Sequence, residues 1–273
     1  MQGPLSAIDP STIAATIEAN INAYRLSVAH LPDAILHDSP ESSWVDCGFP
    51  DATLNAVVRA RFGPDAVDAG IASVLSHFRQ RSSPVGWYVG PCTEPADLGR
   101  HLLAHGLTHD EDEPGMAIRI DRMREDRDSG APSGLTIETV RDEAGLADWV
   151  SVWLFPVPDD VRRLHLDVLR RKGLGDALPW RYYVGRLDGV PVATSQLFVG
   201  ESVAAVHLVV TLPEVRRRGI GTAMTRHVLR EAHTLGYRVG VLTASPFGIG
   251  SYRRIGFRTY CLFSRYEWAP GPE

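Results

Sequence analysis

VVTLPEVRRRGIGTAMTRHVLREA, from Val209 to Ala232, is the stretch on which the reading of the chain turns. Val206, Leu208, Val209 and Val210 form an apolar, β-prone run that Pro213 ends. Gly219 and Gly221 then punctuate the entry to a helix carrying Met224, Val228, Ala232 and Leu235 along one side. Strand, basic Gly-rich turn and helix in this order make a phosphate cradle. Glycines let successive backbone N–H groups converge on an anion, and the helix points the positive end of its dipole at the same place. Arg216, Arg217 and Arg218 add charge at the rim, where a diphosphate needs it. An R-x-x-G-x-G string alone is also what an ordinary solvated turn looks like, so the flanking sequence has to decide.

The helix ends at Leu235-Gly236, an apolar strand follows from Tyr237 to Ala244, and then comes SPFGIGSYRRIGF, Ser245 to Phe257. With both motifs on the page, the second half of the chain resembles the GNAT superfamily of acyl-CoA-dependent N-acyltransferases. Arg216, Gly219 and Gly221 match that family's (Gln/Arg)-x-x-Gly-x-(Gly/Ala) loop, and Tyr252 with Gly256-Phe257 matches its Tyr-x-x-x-Gly-Phe signature. The resemblance implies a mixed α/β (α+β) domain in the order β-α-α-β-β-β-α-β-α-β-β. It also implies acetyl transfer from acetyl-CoA to a primary amine of a small molecule, by direct attack in a ternary complex and without a metal.

What the resemblance implies for single residues follows from the chemistry of thioester aminolysis, which must hold the donor, polarise its carbonyl, deprotonate an ammonium and protonate a thiolate. Arg216, Arg217, Arg218, Gly219, Ile220, Gly221 and Thr222 would hold the diphosphate. Val209, Val210 and Thr211 would pair through their backbone with pantetheine and the acyl carbonyl. Tyr252 would be the general acid, although a phenol there is also a packed core tyrosine. Where the family often has Asn, seven residues before that tyrosine, this chain has Ser245 followed by Pro246, which shortens or loses a contact to pantetheine. Pro246 is acceptable at a first helical position, where its missing N–H would have no partner. For the base, strict alternation along the strand puts His207 on one face with Val209 and Thr211, and an imidazole titrating near ~6.5 suits that task. A core histidine bonded to a carbonyl is the plainer alternative. No cysteine lies on these strands beside the thioester, so a covalent acyl-enzyme has no nucleophile. A silent acyl-CoA-binding or regulatory protein is the alternative from another class, and the retained Tyr252 speaks against it.

Composition bounds the rest. A chain of 273 residues, 44% hydrophobic and 22% charged, with net charge −5, reads as a soluble protein of one large or two ordinary domains. The acidic balance disfavours nucleic acid and anionic membrane as partners, and points the arginine clusters at a small polyanion. Met1 to Asp9 shows no secretory pattern, and the longest apolar run, Val203 to Val210, is strand-sized, so the expected location is the cytoplasm. Cys47, Cys92 and Cys261 are too few and too scattered for a disulfide framework or a zinc site.

Periodicity divides the first half into a helix from Pro10 to Ala29, extended segments between Trp44 and Phe62, a helix from Asp65 to Arg81, and a strand at Val85 to Val89. A short helix from Ala96 to His105 and a strand from Met116 to Ile120 complete it. This order echoes the second half without an R-x-x-G-x-G loop, as a smaller α/β domain or a degenerate GNAT repeat would. The domains are drawn at 1–123 and 135–273, joined by a polar linker at 124–134. Leu135 to Arg141 reads as a strand, Asp142 as the cap of a helix through Trp153, Asp159 to Lys172 as a helix, and Arg181 to Val199 as a hairpin turning at Asp188-Gly189. Strands from Arg258 to Trp268 close the domain. His101, His105 and His109 are spaced four apart, but Gly106 ends that helix and no glutamate completes an H-E-x-x-H pattern, so no metal site is expected. The acidic run from Asp110 to Glu113 reads as solvated loop.

Overall fold

The computed structural model describes residues 3–124, 132–200 and 202–271. By packing, the chain groups into two compact units, Met1–Ile13 with Met116–Thr259, and Ala14–Gly115 with Tyr260–Glu273. This grouping cuts the chain at other places than composition does, because a strand from each half closes the sheet of the other. Residues 125–131 of the expected linker lie outside the described residues.

The unit of the first half holds α1 (Ile13–Leu26), β1 (Ile35–Asp38), β2 (Ser43–Asp46), β3 (Ala56–Val58), α2 (Val67–Gln80), β4 (Val85–Val89), α3 (Leu98–Ala104) and most of β5 (Thr108–Arg119). Its sheet runs β1-β2-β3-β4, continues with the last strand of the chain, Arg258–Trp268, and ends on β5. β3 and β4 are parallel and the closing strand is antiparallel to β4. Ile71, Leu75 and Phe78 of α2 and Leu98 and Leu102 of α3 pack with Val57, Val85 and Trp87 of the sheet. Two expectations are corrected here, and one strand lies where none was expected or excluded. Ile35–Asp38 is a strand, exposed throughout and carrying no burial alternation to reveal it. Asp110 to Glu113 is also strand rather than loop, for its carboxylates meet the closing strand: Asp110 accepts from Arg265 at 2.6 Å and Asp112 from Ser264 at 2.6 Å. The closing segment, expected as more than one strand, is a single strand of 11 residues.

The unit of the second half holds β6 (Leu135–Thr139), α4 (Glu143–Trp153), α5 (Asp159–Lys172), β7 (Trp180–Leu187), β8 (Val190–Val199), β9 (Ala204–Thr211), α6 (Ile220–Thr234), β10 (Val239–Thr243) and α7 (Ile249–Ile255). With the end of β5, the order is β5-β10-β9-β8-β7-β6. The sequence accounts for most of these boundaries. Asp142 caps α4 by accepting the Gly145 N–H at 2.8 Å. Asp159 and Asp160 open α5 while Arg170, Arg171 and Lys172 close it, each matching the helix dipole. Asp188 and Gly189 both take positive φ, 50° and 84°, as a two-residue hairpin of this hand requires. Met224, Val228 and Ala232 of α6 pack on Tyr183, Ala193, Leu197 and Val206 of the sheet. Among the described residues no helix is long and apolar enough to cross a membrane.

Lys172, at the end of α5, is only 8% exposed and holds its ammonium 4.3 Å from the Trp180 ring centroid. Burial pulls its pKa down to about 8. The ring attracts the charged form and offsets part of that penalty. Because the folded pKa lies below the unfolded one, the penalty is full below about 8 and fades as pH rises toward 10.5. Lys172→Met should therefore raise the unfolding free energy at pH 7 by about 2 kcal/mol, and the difference from wild type should narrow between pH 8 and 10.5. Denaturant titrations across that range check this; a difference independent of pH would contradict it.

Candidate active site

β9 begins as an ordinary parallel neighbour of β10, with Ala204 opposite Gly240 and Ala205 opposite Val241. From Val206 onward the register with β10 stops while both strands continue, so a V opens between them. Its cause lies on the other side of β9. Thr194 of β8 pairs with Val210, but Gln196 pairs with His207, so Leu208 and Val209 together face the single residue Ser195. Leu208 takes φ 51°, a left-handed conformation that costs a non-glycine residue on the order of 1 kcal/mol. This bulge bends β9 away from β10.

The bulge also overturns the expected facing of the strand. His207 pairs with Gln196 and sets its ring 6.5 Å from Phe198. Val209 and Thr211 turn instead toward α6: a Cβ built on Gly221 would lie 3.5 Å from the Thr211 hydroxyl and 3.9 Å from a Val209 methyl. The extra residue inverts the alternation, so His207 does not share a face with Val209 and Thr211.

Past Thr211, Pro213–Val215 makes one 3-10 turn, and Arg217 and Gly219 take φ 61° and 81° before α6 starts at Ile220. Two left-handed residues in three curl the backbone into a concave turn, the shape in which N–H groups gather on an anion. The first closing bond of the helix runs from the Ala223 N–H to the Gly219 carbonyl at 3.0 Å, which leaves the N–H groups of Ile220, Gly221 and Thr222 at the open end of α6. No acidic residue stands in that first turn. The three arginines divide their work. Arg216 donates from Nε to the Thr211 carbonyl at 2.9 Å and ties the loop to the end of β9, while Arg217 and Arg218 are exposed beside the turn.

On the far side of the V, β10 leads into a turn in which the Ser245 carbonyl accepts from Gly248 at 3.0 Å and Ile249 at 3.1 Å. Pro246 lies inside this turn and not at the first helical position, since α7 begins only at Ile249. Tyr252 sits mid-helix, half-buried. Its carbonyl accepts from Gly256 at 3.1 Å and Phe257 at 3.0 Å, Gly256 takes φ 121°, and the Tyr252 and Phe257 rings meet edge to face at 5.9 Å. Tyr-x-x-x-Gly-Phe is thus a Schellman cap, with its glycine in the positive-φ position and its usual apolar contact. Gly248 completes the packing, as a Cβ there would lie 2.7 Å from the Tyr252 ring.

The first-half unit has the corresponding strands, helix and turn, but its gap is closed. Beyond the parallel pairs Ala56–Gly86 and Val57–Trp87, the Glu94 N–H donates to the Ala60 carbonyl at 3.0 Å and the Phe62 N–H to the Glu94 carbonyl at 2.9 Å. Asp68 occupies the first turn of α2, where an anion would approach. His101 and His105 both converge on that carboxylate, each at 3.1 Å from Oδ1, and His109 pairs instead with Asp112 at 2.9 Å. These imidazoles hold Asp68 below the usual carboxylate range. Among the described residues no group of three or more His, Cys, Asp or Glu side chains is arranged to hold a metal ion. Burial pushes Cys47 and Cys92 up to about 11 and Cys261 to about 12, which keeps all three as thiols at neutral pH.

Residues 146–257 match the family model described as acetyltransferase (GNAT) family. They are a GNAT domain. The whole chain is similar in fold to a GCN5-related N-acetyltransferase from Kribbella flavida, 19% identical, with 95% of this chain and 96% of that one covered at a TM-score of 0.72. A second, from Sphaerobacter thermophilus, is 20% identical with 98% and 96% covered at 0.59. A tandem GNAT protein from the clavulanic acid biosynthesis pathway is 15% identical with 99% and 98% covered at 0.58. At these identities the likeness is one of fold. A search of the curated proteins finds no match. For residues 146–257 the match to this family implies acyl-CoA-dependent acetyl transfer in general terms, with acetyl-CoA the usual donor of the family.

Two glycines of the domain's loop now carry separate predictions. Gly219→Ala forces a Cβ onto φ 81° and should cost about 1 kcal/mol of stability besides distorting the loop. Gly221→Val meets no backbone obstacle in the fold, so it should stay folded yet weaken acetyl-CoA binding at least ~10-fold by filling the mouth between α6 and β9. Denaturant unfolding checks the first and calorimetric titration of the folded variant the second, and unchanged affinity in Gly221→Val would remove the loop from the donor site.

Proposed function

We propose that this protein transfers an acyl group, acetyl by default, from acyl-CoA to the primary amine of a small molecule in one ternary complex. The observation that carries the reading is the V between β9 and β10, continued at its mouth by the concave turn before α6. A donor lying in this V would set its diphosphate on the backbone of residues 216–222 and pair its pantetheine with the strand edge that β10 leaves open. The N–H group of Val209, aimed by the bulge, would polarise the thioester carbonyl, while the Val210 N–H faces Thr194 in the β8 ladder.

The steps balance without a covalent enzyme intermediate. His207, on the face of β9 away from Val209 and Thr211, would take a proton from the ammonium only through water, and the free amine attacks the carbonyl. The carbon–sulfur bond then breaks, the amide nitrogen loses its second proton to solvent, and the thiolate takes a proton from the Tyr252 phenol. The three cysteines, held as thiols, offer no competing nucleophile. Residues from Leu135 onward would bind one donor per chain, and residues 1–123 none, because the equivalent gap of the first-half unit is bridged by its own backbone.

Tyr252→Phe removes the phenol proton and leaves the ring against Phe257. It should lower turnover ~10²-fold, followed as free thiol over a panel of amines, while acetyl-CoA affinity stays within ~2-fold. Wild-type turnover in this variant would show that the thiolate leaves without this acid. Stoichiometric acetyl-CoA binding with no thiol release from any amine would instead favour a silent binding protein.

A further inference from the structure

The bulge at Leu208 turns backbone groups out of the β8–β9 ladder, and buried carbonyls need donors. One side chain supplies such a donor at the bulge. The Thr194 hydroxyl, on a residue with no exposed surface, donates to the Leu208 carbonyl at 2.9 Å. Thr194 is itself held in register on both sides, opposite Val184 of β7 and Val210 of β9.

We infer that Thr194 is a positioning residue, which holds the β9 bulge in the one geometry that aims the Val209 amide at the thioester carbonyl. The inference rests on the acyltransferase reading above, and adds to it a residue that touches neither donor nor acceptor. Donor affinity resides mainly in the loop at 216–222, so loosening the bulge blurs the aim of the amide more than it releases acetyl-CoA. The loss therefore falls on kcat rather than on KM for the donor.

Thr194→Val keeps shape and volume but deletes the hydroxyl, and Thr194→Ser restores it. The first should lower kcat ~10-fold or more with KM for acetyl-CoA within ~3-fold, and the second should recover most of the loss. Amide hydrogen exchange over residues 206–211 should quicken in Thr194→Val and return toward wild type in Thr194→Ser. If Thr194→Val does not fold, Thr194→Ala, which also deletes the hydroxyl, carries the same expectations for kcat and exchange. Unchanged kcat, equal losses in Thr194→Val and Thr194→Ser, or unchanged exchange at 206–211 in a folded variant would each overturn the assignment. A wild-type protein that releases no thiol with any amine would sink the acyltransferase reading, and the exchange comparison alone would then decide whether Thr194 holds the bulge.

Discussion

Everything that makes this sheet a site depends on one register shift. Opposite Ser195, β9 spends two residues where β8 spends one, and Leu208 accepts a left-handed backbone to do so. The strand then cannot follow β10, and its edge stays open from Val206 to Thr211. An open strand edge inside a sheet is a row of donors and acceptors in want of a partner. A pantetheine arm, with its amides spaced along a flexible chain, suits such an edge. The turn before α6 lies at the strand's far end, tied there by Arg216, so the row of backbone groups leads to a place built for an anion.

The first-half unit shows what the same framework becomes without that opening. Its strand pair continues through Ala60, Phe62 and Glu94 instead of parting, and an aspartate stands at the helix start that would face the anion. Two histidines spaced for a metal bind that aspartate. The residues that attract attention in the sequence of this half are thus consumed by its own packing.

How much of this was legible in the sequence differs by the physics involved. Local rules were readable: the Asp142 cap, the Asp188-Gly189 turn, the span of α5 and the glycine turn before α6 follow from single residues with strong conformational preferences. The Tyr-x-x-x-Gly-Phe string was readable as a resemblance, and the structure supplies its mechanics as a helix cap. The bulge was not readable, because no glycine or proline marks it; Leu208 looks like any strand residue until its neighbours are known. Strict alternation therefore sets His207 on the wrong face and hides Thr194, which reads as ordinary sheet. The exchange of closing strands was hidden for a similar reason, since β5 and the final strand carry ordinary strand patterns and only pairing tells which sheet each one closes. The exposed edge strand Ile35–Asp38 left no alternation to read.

The most direct measurement is a crystal structure of the chain with acetyl-CoA. The account predicts one molecule per chain, its diphosphate on the backbone of residues 216–222, its pantetheine along β9 beyond Val206, and its carbonyl oxygen within hydrogen-bond distance of the Val209 amide. A donor seated instead at the start of α2, a second one bound there, or a carbonyl turned away from the bulge would contradict it.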